Sequence, residues 1–269
     1  MDRTKDQWGE RFATCVNGVN IFAMGADYIP EDHLLGRVTP ETRDKEFGGW
    51  YSGITSDGKI LPNKQCYAHA FVILAASSAI LTGKSEAKKL LQDALDVYDL
   101  RFWNEEEGLS CDTWNKEFTK LDSYRGINAN MHTVEAFLAA ADVTGNQIYR
   151  IRAGRIIRHV IAWAGENDWR IPEHFTSDWI ADLECNKDHP ADQFKPYGAT
   201  PGHGIEWARL IVQWAVSTYQ DDEKNQLLST VWPGKSDLYH AFQATLIPYN
   251  RVDLSIACAI KEKKDGGLE

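Results

Sequence analysis

Residues 124–138 read YRGINANMHTVEAFL, and this stretch decides how the rest of the chain is understood. It places an arginine, two asparagines, a histidine and a glutamate at the opening of a segment that then turns apolar. With a helix starting near Ile127, Asn128, His132 and Glu135 fall at i, i+4 and i+7 and share one polar face. Val134, Phe137, Leu138, Ala140 and Ala141 cover the remainder, so the far side can be buried while the near side offers an imidazole and an amide to a cavity. Taken alone, the helix favours a hydrogen-bonded core histidine. Other motifs have to outweigh that reading.

Working outward, residues 48–61 (GGWYSGITSDGKIL) predict a hairpin turning at Asp57-Gly58. Tyr67, Phe71, Leu74, Ala75 and Ser78 recur at helical spacing across 63–81, and Ser85 is placed to cap a second helix running to about residue 102. NEEEGLSCDTWNKEF predicts another hairpin, and its acidic run at 105–107 is a solvated face. The opening stretch then gives a helix to about residue 143, and a fourth spans 146–164. Helix, helix and hairpin thus occur once and begin again, the rhythm of an α/α toroid in which inner and outer helices alternate. Residues 165–202 form an irregular segment too long to be a simple connector, which points to a functional loop. HGIEWARLIVQWAVSTYQ follows as an amphipathic helix with His203 and Glu206 in its first turn, and in VWPGKSDLYHAFQATLIP Ser236 can cap a helix carrying Asp237 and His240.

Composition narrows the partners. A net charge of -10 without a sizeable basic cluster argues against nucleic acid or an anionic membrane surface and leaves small neutral substrates. Five cysteines, an odd number at irregular spacings with no CxxC pair, indicate neither a disulfide framework nor a zinc site. No apolar run approaches the roughly 20 residues that span a bilayer, and the start MDRTKDQWGE is not a signal peptide, so a cytoplasmic location is expected. Ten Trp, ten Tyr and ten Phe suit packing against sugar rings as well as they suit a core.

His132, His203 and His240 each stand in the first turns of a separate helix, accompanied by Asn128, Glu206 and Asp237. Helix starts arranged around a toroid can aim such side chains at one axial pocket, where the helix dipoles favour developing negative charge. Imidazoles with a pKa of about 6.5 suit removal of a weakly acidic C–H beside a carbonyl. Glu206 or Asp237 is the expected partner that fixes the imidazole tautomer. No phosphate loop, Ser/His/Asp order or HExxH is present, and the three histidines lack metal-ligand spacing, so neither cofactor nor metal is expected.

RDKEFGGWY, KQCYAHAF, FWNEEE, YRGINANMHTVEAFL, PEHF, NKDHPADQF and TPGHGIEWARL, followed by VWPGKSDLYH, occur in the order that resembles the N-acylglucosamine 2-epimerase superfamily, and within it the aldose-ketose isomerases of mannose or sulfoquinovose. The resemblance covers residues 44–219 and 231–248. It implies an (α/α)6 barrel and cofactor-free isomerisation through a cis-enediol, with His203 and His240 as the proton-transfer pair. Asn128, His132, Tyr67, Glu206 and Asp237 are then implied to bind a monosaccharide. Six or seven helical segments are legible where such a barrel needs about a dozen, so the expected fold is mainly α, an incomplete (α/α)6 toroid with short β-hairpins between helix pairs. The arginine that the isomerases bring to the substrate carbonyl has no counterpart, since Arg11, Arg37 and Arg43 do not stand in its motif.

Residues 17–43, NGVNIFAMGADYIPEDHLLGRVTPETR, resemble instead the barrel-entry segment of family 2 glycoside hydrolases, notably β-mannosidases. Three segments follow: 1–43 glycosidase-like, 44–250 a shortened isomerase barrel, and 251–269 a tail. The leading expectation is a mannose-type isomerase, against a sugar 2-epimerase or an inactive carbohydrate-binding or structural remnant. Helix faces without partners also predict self-association.

Overall fold

The computed structural model describes residues 42–55, 57–192 and 195–218, together with short strands between residues 5 and 21. Its contacts separate the chain into Met1–Val38 and Thr39–Glu269. In the first unit β1 (Lys5–Asp6) pairs antiparallel with β2 (Gly9–Glu10), and β3 (Thr14–Val16) with β4 (Val19–Ile21).

The second unit carries the nominated site. β5 (Gly53–Ile54) pairs with β6 (Ile60–Leu61) across a turn in which Gly58 takes a φ of 80°, a conformation glycine adopts without strain. β7 (Lys64–Gln65) leads into α1 (Cys66–Leu81), and α2 (Ala87–Arg101) follows and packs on it. β8 (Trp103–Asn104) and β9 (Leu109–Ser110) pair with each other, and β10 (Thr113–Trp114) then pairs back onto β7. The plan repeats: β11 (Arg125–Gly126) enters α3 (Ile127–Thr144), α4 (Gln147–Glu166) follows, and β12 (His174–Phe175) pairs with β11. α5 (Pro201–Thr218) opens a third round.

Local chemistry sets these boundaries. Gly145, at a φ of 73°, ends α3, and the Asn146 side chain accepts the Ile148 N–H at 3.1 Å to start α4. Ser85 does not cap α2 as expected. Residues 84–88 enter the helix through tight turn bonds, Ala87 N–H to Lys84 O at 3.1 Å and Lys88 N–H to Ser85 O at 3.3 Å. The backbone is therefore already helical at Glu86, and the Ser85 hydroxyl bonds the Glu86 carboxylate instead.

α3 is the centre of the packing, lying against α1, α4 and α5, while α1 also packs on α2. Its small residues Ala129, Ala136, Ala139, Ala140 and Ala141 are buried and let neighbouring helices approach, while Met131, Val134, Phe137 and Leu138 fill the space between them. Each large apolar side chain so buried contributes on the order of 2 kcal/mol. α2 and α4 bury one stripe each, Leu91, Leu95 and Tyr98 on the former and Tyr149, Ile156, Ile157 and Val160 on the latter, as outer helices do. Two buried polar clusters tie elements together: Asn130 exchanges two hydrogen bonds with the Ser110 backbone at 2.9 and 3.0 Å, and Tyr98 joins Cys66, Thr133 and Ser110. Among the described residues no helix is long and apolar enough to cross a membrane.

Candidate active site

α3 and α5 face each other with their polar stripes. On α5, His203, Glu206 and Arg209 recur at i, i+3 and i+6 and so lie along one side. His132 Nδ1 on α3 sits 3.2 Å from Glu135 Oε2 and 4.0 Å from Glu206 Oε1. Arg209 donates to Glu135 Oε1 at 2.8 Å and comes within 4.0 Å of Glu206. Burial raises the Glu135 carboxyl pKa, but the His132 hydrogen bond and the Arg209 charge more than offset it and hold the group below its ordinary value. With Nδ1–H given to a carboxylate, the neutral His132 ring keeps its lone pair on Nε2. α1 supplies the aromatic side: Tyr67 meets the His132 ring edge-on at 5.0 Å and Phe71 lies 4.7 Å away. Tyr67 and Phe71 are 41% and 40% exposed, so this side is reachable from solvent. Burial, then repulsion from Glu206 and Glu135, raises the Tyr67 phenol pKa and keeps it a neutral donor. Asn128 Oδ1, on the same face of α3, is buried with no hydrogen-bond partner among the described residues.

His203 has a different anchor from the one expected. Its Nδ1 lies 2.8 Å from Glu173 Oε2, not against Glu206 or Asp237, and Glu173 Oε1 accepts the Thr200 N–H at 3.0 Å. The reason is positional: Glu173 stands just before β12, under the start of α5, whereas Glu206 points along α5 toward α3. Burial lowers the His203 pKa, but Glu173, with help from Glu206, overrides this and holds it above the ordinary imidazole value. The neighbouring His174 is fully engaged, with Nε2 at 2.8 Å from Pro196 O and Nδ1 at 2.7 Å from the Tyr124 hydroxyl. Since a carbonyl only accepts, His174 carries its proton on Nε2 and Tyr124 donates to Nδ1.

Of the nominated residues, Tyr67, Asn128, His132, His203 and Glu206 thus belong to α3 and the two helices α1 and α5 packed against it, whereas Asp237 and His240 lie outside the described residues. Donor atoms of His132, Glu135 and Glu206 lie within 4.8 Å of one another, close enough to hold a metal ion, but the Arg209 guanidinium already meets both carboxylates. Arg209 and Glu173 were not foreseen. Arg209 was findable, because the helical period from His203 puts it on the site face; Glu173 sits in irregular chain where no period announces it.

The α/α architecture, with histidines and carboxylates gathered at helix starts, was compared with known proteins. The chain belongs to the N-acylglucosamine 2-epimerase (GlcNAc 2-epimerase) family, whose model matches residues 32–224. It is 45% identical over 183 residues to a D-mannose isomerase of Pseudomonas cannabina pv. alisalensis, covering 67% of this chain and 44% of that protein. A D-mannose isomerase of Thermobifida fusca is likewise 45% identical over 183 residues, covering 67% and 45%. A crystal structure of a D-mannose isomerase superposes with a TM-score of 0.65 at 30% identity, over 75% of this chain and 52% of that one. The cellobiose 2-epimerase of Spirochaeta thermophila DSM 6192, at 18% identity and a TM-score of 0.59 over 72% and 49%, shares the fold. The chain spans about half the length of the curated relatives it matches.

Proposed function

We propose that this protein interconverts a mannose-type aldose and its ketose without a cofactor, on the face where α3 and α5 meet. The observation that carries the reading is His203: an imidazole with Nδ1 tied to a buried carboxylate, Nε2 left for substrate, and a pKa held above its ordinary value. In the reaction Nε2 takes the C2 proton of the open-chain aldose while electrons move onto the C1 carbonyl oxygen, which takes up a proton to give a cis-enediol. The proton held on Nε2 then returns to C1, and the O2 proton released as the C2 carbonyl forms balances the one taken up at O1, completing the ketose. His240, by family resemblance, is the second proton carrier, with Asp237 beside it. Asn128 Oδ1 accepts a sugar hydroxyl, Tyr67 and Glu206 bind neighbouring oxygens, and His132, its ring fixed by Glu135, accepts a further hydroxyl on Nε2. The five described helices form part of an (α/α)6 toroid, in keeping with the alternation of inner and outer helices. The free thiols Cys66, Cys111 and Cys185 suit a reducing cytoplasm.

Incubation of the full chain with mannose in deuterated water, followed by NMR, tests this. Deuterium at C1 or C2 with appearance of ketose supports isomerisation, and sulfoquinovose is the second sugar to try. Label at C2 with only the epimeric aldose would make the protein a 2-epimerase. Sugar binding with no exchange, undiminished in His203→Ala, would make it a binding remnant.

A further inference from the structure

The strand pairs beside α1 and α3 are one device used twice. The residue just before β10, Asp112, gives its carbonyl to the first N–H of α1, Cys66, at 2.8 Å. The residue just before β12, Glu173, gives its carbonyl to the first N–H of α3, Ile127, at 3.0 Å. Both residues are acids, and each directs its carboxylate at the start of the next inner helix. Asp112 Oδ2 lies where a Cβ on Gly126, the residue before α3, would stand 2.9 Å away. Glu173 meets Thr200, the residue before α5, and His203 in its first turn. The Glu173 carboxylate accepts the Thr200 N–H there, and the helix dipole favours its charge.

We propose that Glu173 is the positioning residue of the site: through its carbonyl it fixes the start of α3, and through its carboxylate it holds α5 and locks His203 in the Nδ1–H tautomer, so that Nε2 presents its lone pair to the sugar carbon. The catalytic half of this rests on His203 being the base; the structural half does not. Both carboxylate oxygens are committed and the side chain is 5% exposed, so nothing else competes for it. The charged groups acting on the ring are Glu173 from the strand side and Glu206 from its own helix. Glutamine at 173 keeps the shape but not the charge, and its amide can offer an N–H to Nδ1, which turns the ring into the wrong tautomer for a base at Nε2.

The test is ¹⁵N NMR of the histidine-labelled full chain across a pH series, on the wild type, Glu173→Gln and Glu173→Asp, paired with the deuterium-exchange assay. The wild type should show His203 as the Nδ1–H tautomer when neutral. In Glu173→Gln its pKa should fall and the Nε2–H form appear, with exchange about 10²-fold slower at little change in KM, while Glu173→Asp recovers part of the loss. A wild-type His203 carrying its proton on Nε2, or a Glu173→Gln protein with unaltered tautomer and pKa, would overturn the proposal. The wild-type measurement decides the matter even where the glutamine variant does not fold. A correct tautomer without exchange on any sugar would remove the isomerase reading and leave the hold on His203 standing.

Discussion

A buried and a half-buried histidine show how environment assigns a role. His69 is fully buried on α1, accepts the Trp50 N–H on Nε2 at 3.0 Å and gives Nδ1–H to Gln65 O at 2.7 Å. Burial pushes its pKa from 6.5 to about 4, the Gln65 carbonyl opposing and Lys64 assisting. The unfolded chain therefore binds the proton more readily. Stability contributed by this neutral imidazole is present above pH 6.5 and drains as pH falls toward 4, by on the order of 3 kcal/mol. Urea unfolding at pH 7 and pH 4.5 should show a smaller acid loss in His69→Gln, whose amide oxygen can still accept the Trp50 N–H. An equal loss in both proteins would show that His69 is not the acid-sensitive group. His203 has the opposite sign: its raised pKa means that its neutral, proton-accepting form develops at a pH above that of an ordinary imidazole. The low-pH limb of exchange activity should accordingly lie above the ordinary imidazole pKa, and a limb below it would contradict the pairing with Glu173.

At the scale of elements, two contacts are worth breaking. Lys64 on β7 is buried with its ammonium 2.8 Å from Asp44 and 2.9 Å from Gly48 O, over the Tyr51 ring at 4.1 Å. Burial raises the Asp44 pKa, yet Lys64 and the N–H groups of Glu46 and Phe47 outweigh it and hold the carboxyl at about 2. Lys64→Ala strands that carboxylate in the interior, so denaturant unfolding should report a loss of about 3–5 kcal/mol. Gly154 on α4 sits beneath the buried Trp214 ring of α5, where a Cβ would come 2.6 Å from Cε2. Helix propensity alone favours Gly154→Ala by about 1 kcal/mol. The clash with a rigid ring, pinned by its Nε1–H bond to Arg150 O at 3.0 Å, should instead make the variant less stable by about 1–3 kcal/mol. A more stable Gly154→Ala would mean that Trp214 moves aside freely. These elements also mark how far the sequence could be read. The starts of α3 and α4 were legible because Ile127 opens an apolar period and Asn146 caps, as was the shared face of Asn128, His132 and Glu135. The β7–β10 and β11–β12 pairs, two residues to a strand, were not, since nothing periodic fits in two residues, and with them went the acids Asp112 and Glu173.

For the whole molecule the question is what meets the faces of α1 and of the segment between β12 and α5. Leu100, Ile151, Trp169, Ile180 and Leu183 are each more than half exposed, and Tyr67 and Phe71 stand open beside His132. Isolated apolar residues on a surface need no partner, but Ile180 and Leu183 lie three residues apart on the segment between β12 and α5, and Tyr67 and Phe71 are in ring contact at 4.8 Å. A net charge of -10 opposes association through its long-range field and is screened by salt, whereas apolar contact is not. Light scattering on the full chain should therefore give a mass above that of one 30.4 kDa copy, rising as salt is raised from 50 to about 500 mM. Replacing Ile180 and Leu183 with serine should lower that mass toward one copy while leaving deuterium exchange in place, because both side chains are more than half exposed and neither belongs to the proposed site. A single-copy mass at every salt concentration would show that these faces are ordinary surface, and any reaction at His203 would then belong to the lone chain.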